Sequence, residues 1–308
     1  MKVLVTGGAG FIGSHIVEHF SNKADTKVAV MDNLRSGFKK NIEKFGVEFI
    51  EESITDYKAC VNAMKGVDYV FHLAAMISVP ESIFEPVECI NLNAIGTINL
   101  IKAAKESGTV KKIVLSSSAA VYGDNPVMPK VETMLPEPKS PYAVTKLDGE
   151  YYLSLYRKEW GVPSACCRYF NVFGPRQNPK SQYAAAVPIF ILKAIKNEDI
   201  LIYGDGEQTR DFVYVKDVVQ ANVLVSEKGD SVYNVAYGSK ITINELAEKI
   251  IKLTGSKSKI IHEKERPGDI KHSLADNSKI KKLGFKPSSS LEEGLKATVE
   301  FFVGEYKK

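Results

Sequence analysis

The first fourteen residues read MKVLVTGGAGFIGS (1–14), and this stretch decides the fold of the chain. Lys2–Val5 is a short apolar run with β-branched residues, which is typical of a buried strand. Gly7, Gly10 and Gly13 follow three positions apart and remove side chains where the strand must turn into a helix. In a nucleotide-binding turn, the first glycine would allow the tight bend, the second would let a pyrophosphate approach, and the third would let the helix lie against the strand. The helix N-terminus would hold the phosphates through its free N–H groups.

The residues after this turn strengthen the prediction of a dinucleotide site, because a glycine triplet alone is a weak signal. A second strand follows at Lys27–Met31 and ends in Asp32, where an acid would bind the ribose hydroxyls of NAD. Arg35 in the next loop suits the 2′-phosphate of NADP, but Asp32 would repel that phosphate. The sequence therefore predicts NAD as the cofactor. The alternative is a tight turn and a helix start that bind no cofactor.

The composition is that of an ordinary globular protein. The chain has 308 residues, 44% of them hydrophobic and 25% charged, which is enough for one full domain and a smaller lobe. Its formal net charge of +4 is too small to argue for nucleic acid. No apolar run reaches membrane-spanning length and no signal peptide precedes the first strand, so we expect a cytoplasmic protein without membrane segments. The four cysteines (Cys60, Cys89, Cys166 and Cys167) lack metal-ligand spacing, so we expect reduced thiols and no metal site.

Strand and helix patterns alternate through the first half of the chain. Further strands are predicted at Val47–Ile50, Val67–Leu73, Lys112–Leu115 and Pro163–Tyr169. This alternation indicates an α/β fold with a doubly wound parallel sheet, in which ligands bind beyond the carboxyl ends of the strands. The glycine turn, the Ala74-Ala75 pair and the serines Ser116–Ser118 all fall at that edge. We interpret His72, at the end of one strand, as a core histidine.

Tyr142 and Lys146 lie four residues apart in a helix predicted to run to about Trp160, so they share one helical face. The lysine cation and a positive nicotinamide would stabilise the phenolate and lower the tyrosine pKa toward neutral pH. Tyr142 could then act as a general base, with Ser118 hydrogen-bonded to the reacting oxygen.

These motifs resemble those of the extended short-chain dehydrogenase/reductase family, and within it the nucleotide-sugar 4-epimerases. The matching stretches are TGGAGFIG (6–13), DNL (32–34), HLAA (72–75), NAIGT (93–97), SSSAAVYG (116–123), PYAVTK (141–146), RYFNVFGPRQ (168–177), GDGEQTRDFVYVKD (204–217) and RPGD (266–269). They follow the order of the family and cover most of the chain.

The resemblance implies a Rossmann-type sheet with a smaller mixed α/β C-terminal substrate lobe. Residues 1–168 plus 216–237 would form the NAD-binding domain, and residues 169–215 plus 238–308 the nucleotide-sugar-binding lobe. The implied cofactor-binding residues are Gly7, Gly10, Phe11, Ile12, Gly13, Asp32, Asn33, Ser53, Ile54, Leu73, Ala74, Ala75, Asn93, Ser116, Tyr142, Lys146 and Tyr169. The implied substrate-binding residues are Ser78, Ser118, Tyr142, Asn171, Gln177, Ala185, Val187, Tyr203, Arg210, Arg266, Asp269 and Ser273.

Arg210 and Arg266 each stand at a predicted turn. On the residues alone, two solvated surface arginines are the simpler interpretation, although a guanidinium also binds phosphate oxygens in pairs. The resemblance favours the second interpretation, since the matching positions of the family hold the substrate diphosphate. Asn171 matches its sugar-diphosphate asparagine.

The implied reaction is reversible inversion at C4 of a UDP-hexose through a transient 4-keto sugar, with Tyr142 as the base. A 4,6-dehydratase carries an Asp-Glu pair after the active-site serine, whereas this chain has Ala119-Ala120. A UDP-glucuronate 4-epimerase, a decarboxylase or a reductase remain as alternatives. A non-enzymatic NAD-sensing protein is a further alternative, but it would usually lack the tyrosine-lysine pair.

The substrate prediction depends on a few side chains. A small residue at Ser273 would leave room for an N-acetyl group, and Gln177 with Tyr183–Ala186 is similar to the N-acetylhexosamine branch, whereas Ile77 departs from it. We therefore predict UDP-glucose/UDP-galactose interconversion, with UDP-GlcNAc/UDP-GalNAc as the second candidate. The resemblance also implies a homodimer formed by two long helices from each subunit.

Overall fold

The computed structural model describes residues 1–179, 185–265 and 271–306. Its strands are β1 (Lys2–Thr6), β2 (Lys27–Met31), β3 (Glu48–Ile50), β4 (Tyr69–His72), β5 (Lys112–Ser118), β6 (Ser164–Tyr169), β7 (Asn171–Phe173), β8 (Ile200–Tyr203), β9 (Thr209–Arg210), β10 (Phe212–Tyr214), β11 (Val232–Val235), β12 (Ile241–Thr242) and β13 (Ile260–Glu263). Its α-helices are α1 (Phe11–Ser21), α2 (Tyr57–Ala63), α3 (Val79–Phe84), α4 (Pro86–Ile90), α5 (Gly96–Ser107), α6 (Pro141–Trp160), α7 (Ala186–Ile195), α8 (Val215–Lys228), α9 (Ile243–Thr254), α10 (Ser278–Lys282) and α11 (Leu291–Tyr306).

A seven-stranded parallel sheet lies at the centre, in the order β11-β6-β5-β4-β1-β2-β3. The order runs outward in both directions from the neighbours β1 and β4, so a crevice forms where their carboxyl ends diverge. Helices cover both faces of the sheet, because alternate residues of its strands enter two separate cores. Val3 and Val5 pack with α1 and α8, whereas Leu4 packs with α2 and α5. The predicted doubly wound α/β fold is confirmed.

The second half of the chain adds a smaller mixed α/β lobe. Its core is formed by α7, α9 and α11 through residues such as Phe190, Leu246 and Val299. Three two-stranded sheets accompany it: β7 with β10 and β8 with β13 are parallel, and β9 with β12 is antiparallel. Between these segments the chain returns to the main sheet, where β11 pairs with β6. The predicted boundaries of the two domains stay a prediction.

Apolar residues recur at helical spacing between Pro80 and Ser107, which predicts one long helical region, and here the structure differs most clearly from the sequence prediction. The segment instead comprises α3, α4, a π-helical turn (Asn91–Ile95) and α5. Pro86 begins α4, and a proline cannot donate the N–H that would continue the preceding helix. The π-turn carries Asn93, whose side chain is committed to contacts described below. No helix in the described part of the chain has the length and apolar character needed to cross a membrane.

Candidate active site

The glycine turn between β1 and α1 is built for close approach of the backbone. Gly7 has φ +68°, and a Cβ on it would lie 2.6 Å from the backbone N of Ala74, which follows β4. A Cβ on Gly13 would lie 2.2 Å from the carbonyl oxygen of Gly7, so α1 can pack this closely only without a side chain there. Gly10 is the N-cap of α1, and no side chain caps that helix. The first N–H groups of α1 are therefore available to an anion.

A cavity of about 340 Å³ opens from this turn along the carboxyl edge of the sheet. Predicted cofactor residues that line it are Gly7, Gly10, Phe11, Ile12, Gly13, Asp32, Asn33, Ser53, Ile54, Leu73, Ala74, Ala75 and Ser116. The glycine cradle, the uncapped helix end and an acid at the end of β2 together fit a dinucleotide. Phe38 and Arg176 also line the cavity and were not identified from the sequence.

The contacts of Asp32 and Arg35 indicate that the cavity suits NAD better than NADP. Asp32 accepts hydrogen bonds from the N–H groups of Ala9 (2.9 Å) and Leu34 (2.8 Å), which fix its carboxyl at the cavity wall. Burial raises its pKa, and those two bonds oppose the shift. Arg35 is already paired with Glu81 (2.7 Å) and Glu88 (3.0 Å). Since its guanidinium is held by two carboxylates, Arg35 is poorly placed to receive a 2′-phosphate.

The predicted catalytic residues meet beside this cavity. The Tyr142 hydroxyl is hydrogen-bonded to Ser118, whose Oγ also accepts the N–H of Ala120 at 3.1 Å. Lys146 Nζ donates to the carbonyl oxygen of Ser116 at 2.9 Å and lies 5.8 Å from the centre of the Tyr142 ring. The helix α6 thus presents Tyr142 and Lys146 to the end of β5, where the cavity wall at Ser116 begins.

The expected lowering of the tyrosine pKa by Lys146 together with a positive nicotinamide stays a prediction, and in the chain without NAD the shift has the opposite direction. Burial raises the pKa of Tyr142, and its hydrogen bond with Ser118 opposes the shift only in part. Burial also lowers the pKa of Lys146 to about 8. The lysine lies against a carbonyl and over the ring rather than at the hydroxyl, so its charge does not outweigh the loss of water. The expected lowering also depends on the positive charge of a bound nicotinamide, which would have to come from the cofactor.

Four of the predicted cofactor residues do not line the cavity. Tyr142 and Lys146, described above, are two of them, and the other two are Asn93 and Tyr169. Asn93 is buried, and its amide exchanges hydrogen bonds with the backbone N (2.7 Å) and O (3.1 Å) of Met76 and donates to Thr145 Oγ1 at 3.0 Å. It therefore ties the segment after β4 to α6 from behind the site. Tyr169 is also buried, where its hydroxyl donates to Asn222 at 2.7 Å.

The structure also shows how Cys89 and His72 are packed near the catalytic groups. Cys89 packs with Met76 and Leu92 against Tyr142, and all four cysteines are free and buried. His72 is buried as interpreted from the sequence, with Nδ1 2.8 Å from Thr6 Oγ1 and Nε2 2.9 Å from Thr97 Oγ1. Burial, aided by the charge of Lys146, lowers its pKa to about 3, so it is neutral at physiological pH.

A second cavity, of about 500 Å³, lies in the smaller lobe. Predicted substrate residues that line it are Asn171, Ala185, Val187, Tyr203 and Arg210. Ala185 also lines the first cavity, as does Gln177, so the two cavities meet there. Ser78 caps α3 and Ser273 donates its N–H to the carbonyl of Thr209, and neither residue is among the described residues that line these two cavities. Arg266, Asp269 and Tyr183 lie outside the described residues.

A doubly wound sheet with a glycine-rich phosphate turn and a Tyr-Lys-Ser trio at one edge defines an enzyme of the short-chain dehydrogenase/reductase type. The family model described as "NAD dependent epimerase/dehydratase family" matches residues 3–236, and the chain belongs to this family. NAD is its cofactor, as predicted.

Three solved structures are similar over nearly the whole chain. A UDP-N-acetylglucosamine 4-epimerase from Methanobrevibacter ruminantium, in complex with UDP-N-acetylmuramic acid, is 45% identical with a TM-score of 0.95, covering 99% of this chain and 98% of that one. A UDP-glucose 4-epimerase from Thermotoga maritima with UDP-glucose is 41% identical with a TM-score of 0.95 (99% and 100% covered). A UDP-glucose 4-epimerase from Thermus thermophilus in complex with NAD is 37% identical with a TM-score of 0.91 (99% and 99% covered).

These likenesses confirm the predicted family and enzyme class, since UDP-sugar 4-epimerases are isomerases. Proteins at lower identity carry the names UDP-glucuronic acid 4-epimerase and UDP-N-acetyl-α-D-glucosaminuronate decarboxylase. The comparisons therefore show a nucleotide-sugar enzyme, and the similar proteins differ in the sugar that their names carry.

Proposed function

We propose that the protein is an NAD-dependent UDP-hexose 4-epimerase that interconverts UDP-glucose and UDP-galactose. The observation that carries the proposal is that two cavities meet at Ala185, one fitted to a dinucleotide and one lined by Asn171 and Arg210. A nucleotide sugar held in the second cavity by its diphosphate would extend its sugar toward the first. Bound NAD supplies the hydride chemistry at C4 of the sugar.

The residues of the chain would handle the proton of the 4-hydroxyl. The Tyr142 oxygen would take that proton, and Ser118, which is hydrogen-bonded to it, would orient the hydroxyl. Lys146 would stabilise the phenolate from the next turn of α6. Inversion then requires that the sugar present its other face before the hydride returns, so the protein must hold the diphosphate firmly and the sugar loosely.

Two features favour epimerisation of a neutral sugar over the alternatives. Ala119-Ala120 form the turn directly after Ser118, and neither side chain can act as the acid or base that a dehydratase needs. Gln177 donates its amide N–H to the carbonyl of Val172 at 3.2 Å, which fixes Oε1 as the free end of the amide. That buried oxygen has no hydrogen-bond partner among the described residues. It suits a hydroxyl or amide N–H of a sugar and would repel the carboxylate of a uronic acid.

UDP-GlcNAc and UDP-GalNAc form the second candidate pair. Gln177 could accept a hydrogen bond from an N-acetyl N–H, because its amide oxygen has no partner among the described residues. Purified protein supplied with NAD should be incubated separately with UDP-glucose, UDP-GlcNAc and UDP-glucuronate, and formation of each 4-epimer followed by NMR. We expect inversion of UDP-glucose. Inversion of none of the three would overturn the proposal, and inversion of UDP-glucuronate alone would replace it.

We also propose a homodimer formed through α4 and α6, which pack against each other. Their outer faces expose large apolar side chains: Phe84 (just before α4) is 76% exposed, Val87 78%, Ile90 48%, Tyr151 58% and Leu155 47%. Large apolar side chains exposed on two helices that pack together are typical of an interface, and a second copy can cover them by two-fold symmetry. Light scattering should give the dimer mass for the wild type and a monomer mass for Val87→Glu. A wild-type monomer at micromolar concentration would reject this proposal.

A further inference from the structure

Asp211 is a fully buried acid between β9 and β10, and it touches neither cavity. Its Oδ1 accepts the N–H groups of Tyr237 (3.0 Å) and Gly238 (3.2 Å), and its Oδ2 accepts those of Gly238 (3.2 Å) and Ala275 (3.2 Å). One carboxyl group thus joins three segments that are far apart in the sequence. Burial raises its pKa to about 6, while these backbone bonds and the charge of Lys281 oppose the shift, so the group is ionised at neutral pH.

The backbone of the same residue orients a predicted substrate residue. The carbonyl oxygen of Asp211 accepts the backbone N–H of Asn171 at 3.2 Å and its side-chain amide at 3.1 Å. This double contact fixes which way the Asn171 amide presents its oxygen. Asn171 and Arg210, the residue before Asp211, both line the second cavity. Asp211 is therefore next in sequence to one residue that lines this cavity, Arg210, and its main-chain carbonyl is hydrogen-bonded to another, Asn171.

Two hydrogen bonds hold the segment 271–275 against the residues 209–211. The N–H of Ser273 donates to the carbonyl of Thr209 at 3.0 Å, and the N–H of Ala275 donates to Asp211. Just after this segment, the Asn277 amide donates to the carbonyls of Ala236 (3.1 Å) and Tyr237 (3.2 Å) in the loop after β11. The loop after β11 is thus fixed through its carbonyls by Asn277 and through its N–H groups by Asp211.

We propose that Asp211 is a positioning residue for nucleotide-sugar binding. Its carboxylate fastens the loop after β11 and the segment 271–275 to the strand that carries Arg210, and its main-chain carbonyl oxygen orients Asn171. The inference rests on the proposed function, since Asn171 and Arg210 are assigned there to the diphosphate. An acid is required because three N–H donors converge and two oxygens must accept them. An asparagine offers one acceptor oxygen, and its NH₂ group would face an N–H group.

The test compares Asp211→Asn with Asp217→Asn by calorimetric titration with UDP. Asp217 is an equally buried acid on α8, where Oδ1 accepts the N–H (2.7 Å) and hydroxyl (2.8 Å) of Ser288, and it lines neither cavity. We expect Asp211→Asn to weaken UDP binding at least about tenfold while its NAD content and kcat at saturating substrate stay near wild type. The control variant should keep wild-type affinity.

The outcomes separate the two proposals. If the wild type binds no UDP, the proposed function fails and this inference fails with it. If the wild type binds UDP and Asp211→Asn binds it equally well, or if Asp217→Asn weakens binding as much, the positioning role is rejected and the proposed function stands.

A second measurement needs no fold-sensitive variant. Affinity of the wild type for UDP-glucose, whose diphosphate does not titrate near neutrality, should fall as the pH drops through about 6, the pKa of Asp211. Other charged or titratable groups around Asp211 include Lys281 on α10, its neighbour Arg210, Tyr237 in the loop after β11, and His272, whose Nδ1 lies 3.0 Å from Thr209 Oγ1. His272→Gln should keep the pH dependence. A flat affinity profile, or one that His272→Gln abolishes, would overturn the role of Asp211.

Discussion

Glu150 and Arg168 form a buried ion pair directly beneath the catalytic groups, and breaking it should be costly. Glu150 lies one turn after Lys146 on α6, and its carboxylate accepts Nε (2.9 Å) and Nη2 (2.7 Å) of Arg168 and the hydroxyl of Ser117 (2.5 Å). The two side chains are only 3% and 4% exposed. Although burial opposes it, the hydrogen bonds and charge of Glu150 raise the pKa of Arg168, so the arginine stays charged.

Glu150→Gln keeps the shape of the side chain and removes its charge. The guanidinium of Arg168 would remain buried without its carboxylate partner, with the amide oxygen of the glutamine and the Tyr122 ring, 4.8 Å away, as weaker partners. Leaving one charge of a buried pair uncompensated costs about 3–5 kcal/mol of unfolding free energy, whereas removing both charges is close to neutral. We therefore expect Glu150→Gln to lose that amount and Glu150→Gln/Arg168→Met to regain most of it.

Denaturant unfolding followed by circular dichroism measures these differences as shifts of the transition midpoint. Glu198→Gln is a matched control, since Glu198 pairs with Lys193 at 2.8 Å on the surface, and its removal should leave the midpoint unchanged. Ser117 lies between Ser116 and Ser118, so the single variant should also lower kcat. The reasoning is refuted if Glu150→Gln unfolds within about 1 kcal/mol of the wild type, or if the double variant is no more stable than the single one.

Three further predictions concern the site itself. Tyr142→Phe should fold and retain NAD but lose turnover by at least about 10²-fold, as judged by NMR of the 4-epimer, and wild-type activity would reject Tyr142 as the base. Gly7→Ala places a Cβ 2.6 Å from the N of Ala74 at φ +68°, so the purified variant should carry little NAD by absorbance, and a full NAD content would contradict the tight turn. The pKa of His72 is lowered to about 3 in the folded protein. Below about pH 6.5 this histidine therefore binds a proton in the unfolded chain but not in the folded one. Stability should therefore fall by up to ~1.4 kcal/mol per pH unit below about 6.5, and an equally steep fall in His72→Asn would show that another group is responsible.

Local patterns were enough to predict most elements of the fold. The glycine turn, the strand at Lys27–Met31 and the helix from Pro141 to Trp160 depend on apolar periodicity, glycine and a serine N-cap within a few residues. The sequence also predicts a helix over 243–253 that Thr242 caps, and Thr242 forms a capping box with Glu245 at the start of α9. Patterns of this kind are visible in sequence because the interacting residues are neighbours.

The features that sequence reasoning missed are contacts between distant segments. The motif of Asn93 implies a cofactor-binding residue, but its amide is hydrogen-bonded to Met76 and Thr145, which lie 17 and 52 positions away in the sequence. Arg176 lines the first cavity and pairs with Glu18 on α1, 158 positions earlier. No periodicity or spacing connects such residues. The same holds for Asp211, whose importance appears only when the segments that meet at its carboxylate are brought together.

The pKa of Tyr142 is the point at which sequence and structure together say more than either alone. Burial raises the pKa of this phenol and lowers that of Lys146, so the chain by itself keeps Tyr142 protonated. A positive charge beside the ring would favour the phenolate, and loss of that charge would favour the phenol again. An epimerase needs both forms in one cycle, since the 4-hydroxyl first gives up its proton and later regains one. The proton that the phenolate takes from the 4-hydroxyl is the one that it later returns, and a phenol with a raised pKa holds that proton in between. The raised pKa therefore suits a base whose protonation follows the oxidation state of the neighbouring cofactor.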